Sequence, residues 1–389
     1  MMKKFLKVLK ITGIVIVSII LIVTITGVLF VNFSPEFGKE PSDSDKRMYA
    51  KTGYYKEGTF INLIPTSMDM SFKKMLSTMS EFIKEDKSRF PNGNIPVLKL
   101  DSTTIAKNDT ITKLTWFGHS AFLLEIDGKK ILLDPMFGEV PAPHPLLGGK
   151  RFNKELPLSI EKLPQIDALI ISHDHYDHLD YGSIQKIKSK VLDFYVPLGV
   201  KAHLLSWGIP KDKIHEMAWW NEEIKDGLMF AFAPSRHFSG RGLTNRNSTL
   251  WGSWIIKGSK DNIYFSGDSG YGDHFKEIGK KYGPFYIGMM ECGQYNENWV
   301  QIHMIPEESA QAAVDIKAKL MMPIHWGSFN LSLHSWTDPV ERFLLKAKDL
   351  NMPITTPKIG EPILIGGSIF PQINWWTNYR FNYKQKTNG

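Results

Sequence analysis

Hydrophobic and polar positions follow three patterns along this chain. The first is an unbroken apolar run: residues 11–31 (ITGIVIVSIILIVTITGVLFV) carry no charge, and Lys3, Lys4, Lys7 and Lys10 stand before them. A run of this length crosses a bilayer as a helix. Lysines on its near side predict a cytoplasmic N-terminus, with everything after Asn32 outside. A cleaved signal peptide would have a shorter apolar stretch and a small-residue cleavage site, and neither feature is present. The second pattern is helical: within residues 71–86, Phe72, Met75, Leu76, Met79 and Phe82 recur at three- and four-residue spacing. Core packing is the expected use of that stripe, with a lipid-facing or substrate-cradling face as the alternative. The third pattern is short apolar or alternating segments. Residues 114–117, 121–126 and 130–133 predict strands, with Asp127-Gly128 as a hairpin turn. Residues 168–172, 194–196, 228–233, 253–256, 262–265 and 321–324 predict further strands. Residues 306–320 predict a helix opening on Pro306, with Glu307 and Glu308 in its first turn. Early hairpins followed by strands alternating with helices indicate an α/β fold, a mixed sandwich. Residues 1–33 are the flank and transmembrane anchor. Residues 34–112 are a linker and N-terminal extension, beginning with the Pro-, Gly- and Ser-rich stretch 34–46. Residues 113–389 are the catalytic domain.

Composition changes this picture in two ways. The chain carries a formal charge of +7, but its basic residues include those flanking the anchor, so the excess alone does not mark a nucleic-acid face. Cys292 is its single cysteine. That excludes an internal disulfide and a cysteine-built zinc site, so histidines and carboxylates must hold any metal.

Such residues are concentrated just after the apolar segment ALIIS. His173, His175, Asp177 and His178 form an H-x-H-x-D-H cluster within SHDHYDHLD. Side chains two apart on an extended segment point the same way, so His173 and His175 can grip one ion while the following turn aims Asp177 and His178 at a second. Neutral imidazole and carboxylate suit zinc, with other divalent transition metals as competitors. Three more ligand types stand in the same setting, each just past an apolar strand: His237 in PSRHFSG, Asp268 in SGDSGYG and His325 in IHWGSF. Together these residues complete a two-metal set. His144, His203, His215, His274 and His334 lack that setting and are expected in core or surface roles. The Trp219-Trp220 and Trp375-Trp376 pairs are expected in packing or an interfacial belt.

The pattern resembles the metallo-β-lactamase superfamily, which implies an αββα four-layer sandwich. By that resemblance His173, His175 and His237 hold one Zn2+, Asp177, His178 and His325 hold the other, and Asp268 bridges them. Residues 115–134 are similar to the superfamily's opening hairpin, which implies that Asp134 orients a ligand histidine from behind. His119 is a further candidate there, expected as structural rather than catalytic. A closer resemblance is to the N-acylphosphatidylethanolamine-hydrolysing phospholipase D family and its bacterial relatives. It is carried by FGHSAFLLEIDG, ISHDHYDHLD, SGDSGYG, QIHMIPEES and PIHWGSF, over most of the chain from about Thr52 to Gly367. It implies that His303 and Tyr176 lie against substrate, and that Asp177 and His303 carry the catalysis. The anchor departs from the mammalian member, which lacks a transmembrane helix.

These readings converge on a zinc-dependent phosphodiesterase of the phospholipase D type, acting on N-acylphosphatidylethanolamine-like phospholipids. Two divalent ions would leave the site positive and lower the pKa of a bound water to yield a hydroxide nucleophile. The expected partners are the membrane and a phospholipid or other ester, without nucleic acid, and a homodimer stays open. The expected place is the cell membrane, single-pass, with the catalytic domain on the extracytoplasmic side. One alternative is a lactonase or other carboxylic-ester hydrolase of the ascorbate-phosphate lactonase type. Another is a non-catalytic metal- or lipid-binding membrane protein, which the complete ligand set disfavours.

Overall fold

The computed structural model describes residues 1–68, 71–106 and 111–381; the rest of the 34–112 and 113–389 segments lies outside the described residues. Helix α1 (Met2–Phe33) takes in the lysine flank as well as the apolar run. It buries none of its residues against the protein and is long and apolar enough to cross a membrane. The stretch after it, expected as a linker, is ordered. Helix α2 (Asp43–Tyr49) starts there on a capping box, in which Ser42 and Asp45 satisfy each other's backbone amides. The Ser/Asp composition that suggests a linker is also the chemistry of a helix start. A hairpin of β1 (Tyr55–Lys56) and β2 (Thr59–Phe60), then helices α3 (Phe72–Ile83) and α4 (Ser102–Ala106), complete the N-terminal extension.

Two mixed sheets follow. The first takes β3 (Lys113–Gly118), β4 (Ala121–Ile126), β5 (Lys129–Leu133), β6 (Ile166–Ile170), β7 (Val191–Pro197) and β8 (Ile214–Met217) in chain order. The second runs in reverse order from β14 (Ala318–Ile324) through β13 (Phe285–Glu291), β12 (Asn262–Phe265), β11 (Ser253–Lys257) and β10 (Leu228–Ala233) to β9 (Glu222–Lys225). The last strand, β15 (Pro362–Leu364), returns to pair with β3. Pairing is antiparallel from β15 to β5 and from β9 to β12, and parallel elsewhere. Asp127 and Gly128 both take positive φ between β4 and β5, the conformation of the predicted two-residue hairpin turn.

Strand alternation separates two cores. Leu123, Leu132 and Leu169 face outward onto Ile184 and Ile187 of α5 (Tyr181–Ile187) and Val200 and Leu204 of α6 (Val200–Ser206). Their neighbours Leu124, Ile131 and Ile170 face inward onto the side of the second sheet that carries Phe232, Trp254 and Phe265. Helices α7 (His274–Lys281), α8 (Pro306–Asp315) and α9 (Asp338–Asp349) close the far side, α8 packing over β13 and β14. The result is the four-layer αββα sandwich of the metallo-β-lactamase fold. Helix α8 is shorter than the 306–320 pattern suggests. Lys317 turns the chain at φ +63, and parallel pairing of Ala318 with Phe285 and Leu320 with Ile287 draws those residues into β14.

Candidate metal centre

The predicted ligands leave the sandwich along one edge. His173 follows β6, His237 follows β10, Asp268 follows β12 and His325 follows β14 directly, where open sheets present ligand sites. Gly267 makes the approach of Asp268 feasible: its φ is +55, and a Cβ there would lie 2.7 Å from the Gly252 carbonyl oxygen and 2.7 Å from Ser172 Cβ. Three other residues of the site, His119, Asp134 and His325, also sit at positive φ, a conformation non-glycine residues hold only where their surroundings enforce it.

All seven predicted ligands come together. His173, His175 and His237 form one group whose donor atoms lie within 4.8 Å of one another; His119, Asp177, His178 and His325 form a second. Asp268 lies between them, with Oδ2 3.2 Å from His178 Nε2 and 3.7 Å from His173 Nε2, and Oδ1 3.2 Å from His325 Nδ1. Yet His178 Nε2 and Asp268 Oδ1 are buried without an aligned hydrogen bond. Buried polar atoms need partners, and a divalent cation coordinated by imidazole and carboxylate supplies one, so these residues fit a metal. Electrostatics agree. Burial lowers His173, His237 and His325 well below the ordinary histidine value and His175 to about 4, leaving the neutral imidazoles that bind metal. Burial also pushes Asp268 up to about 6. His178 moves the other way: burial opposes its charge, but the carboxylates of Asp268, Asp177 and Asp134 outweigh it and raise its pKa well above the ordinary value.

Around this cluster stand the residues that aim it. Asp134 is fully buried and lies outside every ligand group. Its Oδ2 accepts from His178 Nδ1 at 2.7 Å and its Oδ1 from the Ser172 amide at 2.7 Å, which turns His178 Nε2 toward the cluster. His237 Nδ1 donates to the Ile302 carbonyl at 2.8 Å. His119 Nε2 lies 2.9 Å from Asp177 Oδ2, close enough to orient that carboxylate. His303 Nδ1 lies 3.0 Å from Glu291 Oε2, and His303 lines the cleft beside His325. Tyr176 is not among the cleft-lining residues; its hydroxyl donates to the Arg241 carbonyl at 2.6 Å. Sequence reasoning passes over Glu291, although it ends the apolar run GMME in the same way that Asp268 follows NIYFS. It also passes over Arg241, whose surroundings only the folded chain brings together.

The cleft has a volume of about 430 Å³. His175, Asp177 and Asp268 form its floor, and Met75, Met79 and Phe82 of α3 form a wall. The core-packing expectation for that stripe does not hold. No residue of α3 is buried, because the sheets are already covered by other helices and α3 lies over the cleft.

A model of the beta-lactamase superfamily domain matches residues 129–326, about half of the chain. An uncharacterized protein of Mycobacterium tuberculosis is 39% identical over 315 residues, covering 79% of this chain and 83% of that protein. The N-acyl-phosphatidylethanolamine-hydrolyzing phospholipase D 1 of Caenorhabditis elegans is 33% identical over 258 residues, covering 61% of this chain and 72% of that protein. Among solved structures, a possible metal-dependent hydrolase of Veillonella parvula superposes with a TM-score of 0.52 at 18% identity, covering 65% of this chain and 99% of that one; at this identity the likeness speaks for the fold. Family model, relatives and buried histidine–carboxylate cluster agree that the chain is a member of the metallo-β-lactamase superfamily of metal-dependent hydrolases.

Proposed function

We propose that this protein is a membrane-anchored phosphodiesterase of the phospholipase D type, cleaving N-acylphosphatidylethanolamine-like lipids outside the cytoplasm. The observation that carries this reading is the joining of two opposite surfaces in one cleft. A histidine–carboxylate floor that can hold divalent metal would suit a phosphodiester, and the apolar wall of Met75, Met79 and Phe82 suits acyl chains. A helix that exposes such a wall fits a protein whose N-terminal helix can hold it at a bilayer. The similarity to the worm phospholipase D supports the same substrate class.

His173, His175 and His237 would hold one ion, Asp177, His178 and His325 the other, with Asp268 between them. Zinc suits this nitrogen and oxygen donor set. Bound divalent ions supply Lewis acidity and bring a water's pKa toward neutrality. The chain's own residues do the rest. Two carboxylates among five imidazoles leave the occupied site positive, which draws in an anionic phosphodiester. His303 faces the cleft, with Nδ1 held by Glu291 and Nε2 left to meet a phosphate or leaving oxygen. Burial raises the Glu291 carboxyl well above its ordinary range and lowers His303, so both charged forms are disfavoured in this pair.

The test is mass spectrometry of lipids after the zinc-loaded full chain, in detergent micelles, meets N-acylphosphatidylethanolamine vesicles, beside Asp177→Ala. Phosphatidic acid and N-acylethanolamine formed only by the parent are expected. No product from a chain holding about two zinc ions would discard this substrate and turn the search to lactones and soluble phosphodiesters.

A further inference from the structure

The segment that leaves the anchor helix is bolted to the loop bearing the predicted metal ligands. It begins with the turn Pro35–Phe37 and continues to Lys39. Arg241 makes the first attachment and is only 3% exposed. Its Nε and Nη2 donate to the Glu36 carbonyl at 2.8 and 2.6 Å. Its Nη1 donates to the Asp174 and Leu179 carbonyls at 2.6 and 2.7 Å. One rigid guanidinium therefore joins the segment to both ends of the stretch that carries His175, Asp177 and His178. The same guanidinium lies 4.2 Å over the Tyr176 ring. His203 makes the second attachment. The Lys39 amide donates to its Nδ1 at 3.0 Å, which leaves the proton on Nε2, 3.2 Å from Asp174 Oδ2. Asp174, set between His173 and His175, also accepts from Thr249 Oγ1 at 2.9 Å and from the Gly240 amide at 2.8 Å. A third attachment is Trp207 Nε1 donating to the Pro35 carbonyl at 2.8 Å. Ring contacts continue the path into the anchor: Phe30 of α1 meets Phe37 at 5.3 Å, and Phe37 meets Tyr176 at 6.4 Å.

We propose that residues 35–39 are a positioning strap for the metal site, holding the 173–179 loop in its ligating conformation through Arg241 and His203. The inference rests on the reading of the cluster as a metal centre and adds an element that lies outside the ligand motif. Its physical basis is preorganisation. A loop that supplies four ligands must otherwise lose its conformational freedom when metal binds, and that loss is subtracted from affinity. Removing Arg241 would leave the carbonyls of Glu36, Asp174 and Leu179 without this donor inside the protein. Lysine cannot replace it, because a point charge lacks the fork that reaches all three.

Gly38 offers a way to disturb the strap without touching the loop. Its φ is +69, and a Cβ there would sit 2.1 Å from His203 Nδ1. Gly38→Ala should therefore push the strap off His203. The experiment is chelator-competition titration with zinc on the full chain in nanodiscs, for the parent, Arg241→Lys and Gly38→Ala. Hydrogen exchange of residues 173–179 and thermal unfolding of the metal-free chain are followed alongside. Both variants should bind zinc at least about tenfold more weakly, the scale of lost ligand-orienting contacts. Exchange should quicken in that loop while the sheet amides keep their protection. Parent-like zinc affinity in a folded Gly38→Ala chain would overturn the strap, even if Arg241→Lys fails to fold. Weakened affinity accompanied by faster exchange throughout the sheets would overturn it too, since the effect would then be general destabilisation. A parent that binds no zinc would overturn the metal centre itself, and that result is read on the unmodified chain.

Discussion

The loop after β6 and helix α3 border the same cleft and are built in opposite ways. In the loop, His173, Asp174 and His178 are buried. Asp134, Arg241 and His203 hold its backbone or side chains from outside the ligand set. In α3, no residue is buried, and Phe72 and Ile83 are 71% and 82% exposed. Hydrolytic chemistry needs donor atoms held still in a low-dielectric setting, where their electrostatic effect is large. Capture of an acyl chain needs apolar surface left open, which water penalises unless a membrane or substrate covers it. On the proposed phospholipase reading, a single cleft would serve both needs by assigning them to different elements, one buried and one exposed.

The largest effect that separates the two regions should come from the ligands. Asp177→Ala or His237→Ala should take hydrolysis to background while the sandwich stays folded, read by product formation together with bound-metal analysis. Background turnover with full metal content would assign those residues to the chemistry rather than to metal holding.

Next comes the support behind the loop. Asp134→Asn weakens the acceptor for His178 Nδ1 and should lower zinc affinity or activity by roughly 10- to 100-fold. Chelator competition gives the number; parent-like affinity would mean that burial alone orients His178.

Smaller is the effect of stripping the apolar wall. Met75→Ser, Met79→Ser and Phe82→Ser together should raise the vesicle concentration for half-maximal rate roughly tenfold, since these side chains are already partly covered and a combined loss on the order of 1.5 kcal/mol is that factor. Hydrolysis of a short soluble phosphodiester should not change. Stability should move by only about 0.5 kcal/mol per site, because nothing buried is lost. A large fall in melting temperature would show α3 to be structural after all.

The smallest effect lies on the rim. His334 Nε2 accepts from the Gln294 amide at 3.0 Å, and Gln294 lines the cleft. Burial lowers the pKa of His334 to about 4, whereas an unfolded histidine titrates near 6.5. Between those values the unfolded chain binds more protons, so this contribution to stability is complete above about pH 6.5 and is lost as pH falls toward 4. From pH 7 to 6 the loss is about 0.7 kcal/mol. Denaturant midpoints of the zinc-loaded chain should show a shallower slope over that range in His334→Gln than in the parent. Identical slopes would place the titration elsewhere.

The parts of this molecule legible in its sequence are those whose signal is local. The long apolar N-terminal helix is a composition signal, the β4–β5 turn an Asp-Gly signal, and the H-x-H-x-D-H cluster after ALIIS a spacing signal. His237, Asp268 and His325 were legible because each follows an apolar strand, and strands that end at one edge bring their next residues together. Glu291 carried the same mark and was passed over, since a lone glutamate at the end of a strand has many other uses. Residues 34–46 misled in the opposite direction, their serines and aspartates being as suited to a helix cap as to a linker.

Sequence alone determined the sandwich class, the residue types of the histidine–carboxylate cluster and the presence of a helix with an apolar stripe in residues 71–86, because periodicity and residue chemistry act over a few positions. Tertiary structure decided where that helix went. An apolar stripe states that a face avoids water, but not whether core, substrate or membrane will cover it. Tertiary structure also decided that Arg241 and residues 35–39 reach the 173–179 loop. Such contacts join positions about two hundred residues apart in the chain, and which distant groups meet depends on how the two sheets and their helices close around the core.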